Sequence, residues 1–455
     1  MNSLKITQES IIIMSGHYHH NYGTIRAFSA NLFFLIRHSR ASLLGALSSA
    51  FEWYDYALFG YFTTVIARLF FPSTDPMTAL LSSFAVFASG FAMRPLGAII
   101  FGYIGDRVGR RHALVLSLAL MALPTVLLGL LPTYEHIGIW ATYTLVLLRL
   151  LQGLAVGGNY GGSFIVTIEN APKGYQSLAG SLATFGTLGG LFLGSSAAFL
   201  ATTYLTETDL YQFGWRIPFL LGGFSGFVAY MIRHFIPDEQ SLLTTETNLH
   251  HISHNDNIPI RQIWQHHRES VLKAIGIILI DGVGIYLALV FMATYATVFL
   301  KLPAAYVLAI STAAMALLVV CIPFFGYLGD VKGARKILRY VSLGFLILSL
   351  PLYLMLIQNP TIGIFAILQI IFAILIAAAY GVLPVTVVGL FPKNIRYTAT
   401  GLAFNISVAA FGGTAPLVII KLIDITGALW IPGVALMLVG MISFFCLIRC
   451  KQDYL

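Results

Sequence analysis

The chain has 455 residues, of which 58% are hydrophobic and only 10% are charged, and its mean hydropathy is +0.84. Ordinary soluble domains contain about 25% charged residues, so this composition excludes a soluble globular protein and predicts an integral membrane protein. The formal net charge of +8 indicates basic loops on one side of a membrane rather than nucleic-acid binding.

The first 40 residues contain only short apolar runs, too short for the core of a cleaved signal peptide. We therefore expect residues 1–40 to form a cytoplasmic tail. A membrane-spanning helix needs about 20 mostly apolar residues. Twelve segments meet this requirement: 42–68, 78–105, 112–131, 138–165, 177–203, 215–236, 270–300, 304–329, 338–357, 361–390, 398–421 and 426–448. These runs are too long and too continuously apolar for porin strands, so the predicted fold is all-α.

A polar loop at 237–268 divides the spans into two groups of six. We expect an N-terminal half at 41–236, a C-terminal half at 269–449 and a cytoplasmic C-terminus at 450–455. The halves share a motif, GYIGDRVGRR at 102–111 and GYLGDVKGARK at 326–336, offset by 224 residues (326 − 102). Two homologous halves are typical of transporters. With the N-terminus inside, most lysines and arginines fall on the cytoplasmic side, which predicts that both termini are cytoplasmic.

Five charged residues lie well inside the predicted spans, where an ionised side chain costs several kcal/mol: Glu52, Asp55, Arg94, Arg149 and Asp281. Glu52 and Asp55 share one face of a helix. Two carboxylates so close in a low dielectric favour protonation of one of them. We therefore predict that protons load on Glu52, Asp55 or Asp281. The alternative is that each carboxylate is paired with an arginine and is purely structural.

A substrate site is predicted around the buried arginines. Arg94 lies 12 residues before Asp106, roughly 18 Å along a helix and so near the midplane. A guanidinium there can bind a carboxylate in a bidentate manner, or pair with Glu52 or Asp55. The predicted substrate-binding residues are Arg94, Arg149, Gln152, Asn159, Tyr56, Tyr160 and Tyr286. Gly153, Gly157 and Gly161, spaced by four beside them, favour close helix packing.

The twin motifs carry the predicted gate. The aspartate of each copy follows the end of span 2 or span 8. The basic residues can contact acids or helix ends of the opposing half. Such contacts can break and re-form as the halves move; the alternative is a simple positive-inside anchor. The predicted gate residues are Asp106, Arg107, Arg110, Arg111, Asp330 and Arg335.

No pattern indicates an enzyme, a cofactor or a metal site. The three cysteines lack disulfide or metal spacing. Five histidines crowd the central loop, but a metal site needs a fixed geometry that this polar segment does not suggest: His250, His251, His254, His266 and His267. The spans contain no arrangement of nucleophile and base. The expected partners are therefore a small molecule, protons and the lipid bilayer, with the chain acting as a monomer.

Several motifs resemble the metabolite:proton symporter family of the major facilitator superfamily. They are the loop at 102–111, EWYDY at 52–56, RPLG at 94–97, GWRIPF at 214–219, FPKNIRYT at 391–398 and GGTAP at 412–416. The resemblance covers about residues 40 to 450. It implies a carrier of the bacterial inner membrane that moves citrate, 2-oxoglutarate, shikimate, aromatic acids, or proline and betaine together with protons.

The sequence departs from the family pattern at Asn159, where the family usually has Glu, so coupling or substrate can differ. Drug exporters have a proline in the glycine cluster of span 5. This chain has none there, which argues against an exporter. Our sequence-based hypothesis is proton-coupled import of a small organic acid by alternating access. The alternatives are a proton-coupled proline or betaine carrier, an uncoupled uniporter or exporter, and a sensor that binds without transporting.

Overall fold

The computed structural model describes residues 28–29, 31–32, 40–72, 76–235, 262–412 and 415–450. Most of the predicted N-terminal tail and central loop, and the last five residues, lie outside this part of the chain. The described residues form helices, turns and short irregular links, with no strand among them. Nine helices in the described part are long and apolar enough to cross a membrane.

Six spans make up the N-terminal half, and two of them are interrupted by a short break. They are α1 (Arg40–Tyr61 and Thr63–Phe70), α2 (Pro76–Arg107), α3 (Arg110–Leu130), α4 (Ile139–Glu169), α5 (Gln176–Tyr204) and α6 (Arg216–Gly222 and Phe224–Phe235).

Six further spans make up the C-terminal half. They are α7 (Arg268–Leu279, Ile280–Gly284, Tyr286–Val290, Phe291–Thr294 and Tyr295–Phe299), α8 (Ala304–Lys332), α9 (Ala334–Gln358), α10 (Ile362–Val388), α11 (Arg396–Ser407, Val408–Gly412 and Ala415–Thr426) and α12 (Ile431–Arg449). A π-helical turn at Ile263–His267 precedes α7, so helical structure begins inside the predicted central loop.

Two of the spans end later than predicted. α2 continues to Arg107 and α8 to Lys332, so Asp106 and Asp330 lie within the last helical turn, and the expectation that they follow the helices is wrong. The chain turns only at the glycine of each motif, where Gly109 has φ 126° and Gly333 has φ 91°. Glycine adopts such positive φ values at little cost, which explains this residue in both copies.

Span α7 is not the regular α-helix that its apolar run predicts. Three of its five segments are π-helical: Ile280–Gly284, Tyr286–Val290 and Tyr295–Phe299. π-helical turns are rare and occur often at functional sites. Asp281 lies in the first of them, so this buried acid is presented by a locally irregular backbone.

The two halves meet along two matching seams. α2 packs against α11, and α5 packs against α8. Within the halves, α1 packs on α5 and α2 on α4, while α8 packs on α10 and α9 on α12. Both seams run to the end of the bundle that carries residues 102–111 and 326–336, which we call the twin-loop end.

Candidate functional site

The five charged side chains singled out in the sequence are all buried in the helical bundle. Each has a relative exposure of 4% or less: Glu52, Asp55, Arg94, Arg149 and Asp281. Because isolated buried charges are costly, the partners of each one indicate what it can do.

Asp55 lies at the centre of a hydrogen-bonded cluster within the N-terminal half. Its Oδ1 accepts from the hydroxyl of Thr125 (2.9 Å) and from the amide of Gln152 (3.1 Å). Its Oδ2 lies 3.5 Å from Nη1 of Arg149, which also donates to Oε1 of Gln152 (3.0 Å). These four residues, the Asp55 cluster, come from α1, α3 and α4. An ion pair whose two members also hydrogen-bond to neighbouring side chains allows the charges to remain buried.

Aromatic rings cover both buried arginines. The guanidinium carbon of Arg149 lies 4.6 Å from the ring centre of Tyr56 and 4.3 Å from that of Phe59. The guanidinium carbon of Arg94 lies 5.7 Å from the ring of Trp53 and 5.8 Å from that of Tyr56. Tyr56 therefore lies between the two arginines, and cation–π attraction can stabilise their charges at this buried position.

Arg94 is held across the interface between the halves. It lies within α2 next to Pro95, and its Nε donates to Oδ1 of Asn405 in α11 (2.9 Å). A Cβ at Gly157 of α4 would collide with the carbonyl oxygen of Arg94. Gly157 thus lets α4 pack closely on α2 and fixes the position of Arg94 in the bundle.

A cavity of about 70 Å³ lies between the two halves. Trp53 lines it from the N-terminal half, and Asp281, Tyr286 and Tyr380 line it from the C-terminal half. Arg94 and Asp281 both lie close to Tyr286. This central cavity therefore has aromatic walls, with an arginine and an acid close to it.

Glu52 lies on the side of the site that faces α11. It is fully buried, and its charge acts on Tyr56 and on Tyr397. The hydroxyl of Tyr397 donates to the carbonyl of Gly158 in α4 (3.0 Å). Glu52 is thus close to a contact that joins the two halves, a different environment from that of Asp55.

The acids of the twin motifs cap helices of the opposite half. Asp106 accepts from the backbone N–H groups of Tyr397 and Thr398, both at 2.9 Å, and from the Thr398 hydroxyl at 2.7 Å. Asp330 accepts from the backbone N–H groups of Ser177 (2.7 Å) and Leu178 (2.9 Å). Each carboxylate occupies the positive end of a helix dipole, so α11 and α5 are tied to the partner half at the twin-loop end.

A second cross-half contact reinforces this end. Glu169, at the end of α4, pairs with Arg110 of its own half and with Arg396 of α11. Arg110 also donates to the carbonyl of Lys393 (3.1 Å). One acid thus bridges two arginines that come from different halves, and the bundle is closed here.

The other basic residues of the motifs make more local contacts. Arg107 lies 5.9 Å from the ring of Tyr103, and Arg111 donates to the carbonyl of Arg233 at the end of α6 (3.4 Å). Arg335 lies near Cys450, at the end of α12.

Some predicted residues lie outside the described part of the structure. The side chains of Asn159 and Tyr160 in α4 are not described, so their contact with a substrate stays a prediction. His250, His251 and His254 of the central loop also lie outside the described residues, whereas His266 and His267 are on the helical turn before α7.

Sequence reasoning did not assign a site role to four residues that hold the arrangement together: Thr125, Glu169, Arg396 and Asn405. Each one bonds to a residue far away in sequence; Arg94 and Asn405, for example, are separated by 311 positions. Arg396 and Glu169 are charged residues near the ends of spans, which is the one signal that could have indicated them. Thr125 and Asn405 are neutral residues in apolar runs and carry no such signal.

Comparison with known proteins gives consistent results. Residues 43–416 match the Major Facilitator Superfamily. The chain is 31% identical to the glycine betaine/proline/ectoine/pipecolic acid transporter OusA of Dickeya dadantii, over 91% of this chain and 83% of that protein. It is 29% identical to the proline/betaine transporter of Escherichia coli, with the same coverage of both chains.

Solved structures show the same fold. The proton:xylose symporter XylE bound to 6-bromo-6-deoxy-D-glucose superimposes with a TM-score of 0.64 at 15% identity, over 92% of this chain and 95% of that chain. At this identity the likeness concerns the fold alone.

Proposed function

Because the chain belongs to the Major Facilitator Superfamily, and is therefore a multi-pass membrane transporter rather than an enzyme, we propose that it carries a small zwitterion of the betaine or proline type together with protons. The substrate binds in the central cavity, and the two six-helix halves expose it alternately to each side of the membrane. We place the protein in the bacterial inner membrane as a monomer, with both termini and the twin-loop end in the cytoplasm.

The observation that carries this proposal is the pairing of opposite charges around the central cavity. Asp281 lines the cavity, while Arg94 lies 5.7 Å from the ring of Trp53 in its wall. A zwitterion can place its carboxylate toward the arginine and its cationic nitrogen toward the acid. A di- or tricarboxylate would bring negative charge toward Asp281, which is unfavourable in a low dielectric.

The walls of the cavity favour the same class of substrate. Trp53, Tyr286 and Tyr380 all line it, and aromatic faces attract quaternary ammonium groups. The relatives named above are transporters of betaine and proline. Both observations support the second of the two substrate classes that the sequence left open, and neither supports the organic acid.

The Asp55 cluster is our first candidate for the proton step. Protonation of Asp55 would remove its attraction for Arg149, 3.5 Å away, and would disturb the bonds to Gln152 and Thr125. Glu52 and Asp281 are the other two candidates, since both are buried; Glu52 lies near Tyr397, and Asp281 lines the cavity between the halves. Gln152 and Arg149 then act on the substrate indirectly, through this cluster, in the state that the structure describes.

The test is substrate-driven proton movement in proteoliposomes that contain the purified protein, with glycine betaine, proline, citrate, 2-oxoglutarate and shikimate offered separately. We expect proton entry with glycine betaine or proline and none with citrate. Proton entry with citrate alone would restore the organic-acid hypothesis. Uptake of labelled betaine without proton movement would mean an uncoupled carrier, the outcome that Asn159 in place of the family Glu leaves open.

A further inference from the structure

We infer that Asn405 is a positioning residue that makes the state of Arg94 depend on whether the seam between α2 and α11 is closed. The inference builds on the proposed function by adding a residue that links the substrate-binding arginine to the movement of the halves. Asn405 is absent from every motif that indicated the family.

The side chain of Asn405 is completely buried and uses both ends of its amide. Its Oδ1 accepts from Nε of Arg94 (2.9 Å). Its Nδ2 donates to the carbonyl of Gly157 in α4 (3.0 Å) and to the carbonyl of Gly401 in α11 (2.7 Å). One residue of the C-terminal half therefore joins two helices of the N-terminal half.

The orientation of this amide follows from its partners. An arginine Nε–H can only donate, and backbone carbonyls can only accept. Exchanging the oxygen and nitrogen of Asn405 would place a donor against a donor and an acceptor against two acceptors. Asn405 therefore has one arrangement in which all three contacts are satisfied, and it fixes the guanidinium from one side.

Beside Asn405, α11 is in direct contact with both helices of the N-terminal half. A Cβ at Gly401 would lie 3.6 Å from Cβ of Ala98 and 3.8 Å from the carbonyl oxygen of Gly157. The Asn405 contacts thus occur where α11 packs directly on α2 and α4. A movement that separates these helices must break them.

The same pair of helices carries one of the caps at the twin-loop end. Asp106 of α2 binds the first turn of α11, and Asn405 lies two turns further along that helix. When the halves rotate so that the cap opens, Arg94 loses its bond to Asn405 as well. The guanidinium is then held differently in the two states, so a carboxylate substrate bound to Arg94 has different affinities for them, as alternating access requires.

The experiment measures the opening of the twin-loop end without substrate. Spin labels on Val108→Cys and Lys393→Cys, both exposed in this structure, report the separation of the halves by pulsed electron paramagnetic resonance. The background has Cys321, Cys446 and Cys450 replaced by serine and must retain transport. Asn405→Ala is compared with Asn394→Ala, a matched change at an exposed asparagine that bonds to Gln262.

We expect Asn405→Ala to increase the ratio of open to closed molecules by roughly tenfold or more, because hydrogen bonds to a charged group contribute that much. Asn394→Ala should leave the ratio unchanged. A ratio equal to that of the parent protein in Asn405→Ala would overturn the inference. Loss of thermal stability with an unchanged ratio would do the same, since it would indicate a structural role only.

A second variant keeps the inference testable if Asn405→Ala does not fold. Asn405→Asp retains the acceptor for Arg94 and makes it a carboxylate, which competes with a substrate carboxylate. Its other oxygen cannot donate to the carbonyls of Gly157 and Gly401, so this variant tests the bond to Arg94 by substrate affinity and not by the opening of the seam. We expect betaine to bind at least about tenfold more weakly to Asn405→Asp; unchanged affinity would contradict an action through Arg94. The opening measurement needs no substrate, so a wrong substrate assignment and a wrong role for Asn405 give different results.

Discussion

At the scale of single residues, the buried charges fall into two groups with different partners. Asp55 is held by three residues of its own half, so its contacts can survive a rigid-body movement of the halves. Arg94 is held by Asn405 of the other half, so its contact cannot. This difference suits Asp55 to carry a proton in every state and Arg94 to respond to the state of the protein.

The first prediction concerns Asp55→Asn. The variant should still exchange labelled betaine across the membrane, because the cavity between the halves does not include Asp55. It should lose proton-driven accumulation, because the amide cannot release a proton. Counterflow and pH-driven uptake in proteoliposomes separate the two activities.

The matched control for this prediction is Glu207→Gln, which neutralises the acid of an exposed pair with Arg68 and should leave both activities intact. Full proton-driven accumulation by Asp55→Asn would move the proton step to Glu52 or Asp281.

Some of the site residues could be predicted from the sequence and others could not. Buried charges in apolar runs are visible without a structure, because bilayers exclude them unless they function. The pairing of Asp55 with an arginine was among the expected alternatives, but the arginine named for it was Arg94, and the structure has Arg149 there. The choice of Asn405 as the partner of Arg94 was not predictable, because a neutral asparagine in a span has no distinguishing pattern and its partner is 311 positions away.

At the scale of helices, the site depends on close contact between α2 and α4. A Cβ at Gly153 would collide with the backbone of Gly90, and one at Gly157 with the backbone of Arg94. Backbone cannot move aside as a flexible side chain can. These two glycines therefore determine how deeply Arg94 is placed, and the sequence spacing correctly favoured packing as their role.

The second prediction follows from this contact. Gly153→Ala should destabilise the protein by about 1–3 kcal/mol, the usual cost of overpacking, and should reduce substrate affinity by displacing α2. Thermal unfolding and betaine binding in detergent test both effects. Gly189→Ala in α5 is the control, because a Cβ there meets no atom within 4 Å. Equal stability of the two variants would contradict the packing argument.

The number and positions of the helices were predictable from the sequence, but their internal irregularities and exact ends were not. The twelve apolar segments correspond to the twelve spans because each must cover the hydrocarbon core of a bilayer. The π-helical turns of α7 were not predictable, since hydrophobicity does not distinguish the two patterns of backbone hydrogen bonds. The late ends of α2 and α8 were missed because the charged residues of the motifs were assigned to loops.

At the scale of the whole molecule, the twin motifs produce two related caps on opposite seams. Asp106 and Asp330 are 224 positions apart, and each binds two N–H groups at the start of a helix in the other half. The predicted fold and family resemblance are confirmed by the superfamily match and its relatives. The repeated sequence thus indicated two halves, while only the structure shows what the repeated acids bind.

The third prediction concerns these caps. Asp106→Ala should accelerate hydrogen exchange at the amides of Tyr397 and Thr398, and Asp330→Ala at those of Ser177 and Leu178. A lost cap costs about 0.5–2 kcal/mol, which corresponds to roughly 2- to 30-fold faster exchange. Mass spectrometry of peptides from the starts of α11 and α5 measures this.

The control for the caps is Asp209→Ala, an acid in the short helix Glu207–Asp209, which should affect neither peptide. Exchange that stays slow in Asp106→Ala would contradict the capping role of Asp106 and would leave the contacts of Glu169 with Arg396 and of Arg94 with Asn405 to hold the start of α11.

In the proposed function, Asp281 and Arg94 together select a zwitterion. The most direct measurement compares the binding of glycine betaine with that of 3,3-dimethylbutanoate, which has the same shape and carboxylate but no positive charge. We expect the wild-type protein to prefer betaine by roughly tenfold or more, because the cationic group meets Asp281 and the aromatic walls. In Asp281→Asn that preference should fall sharply, with the butanoate binding as well as or better than before. An unchanged preference in Asp281→Asn would contradict the claim.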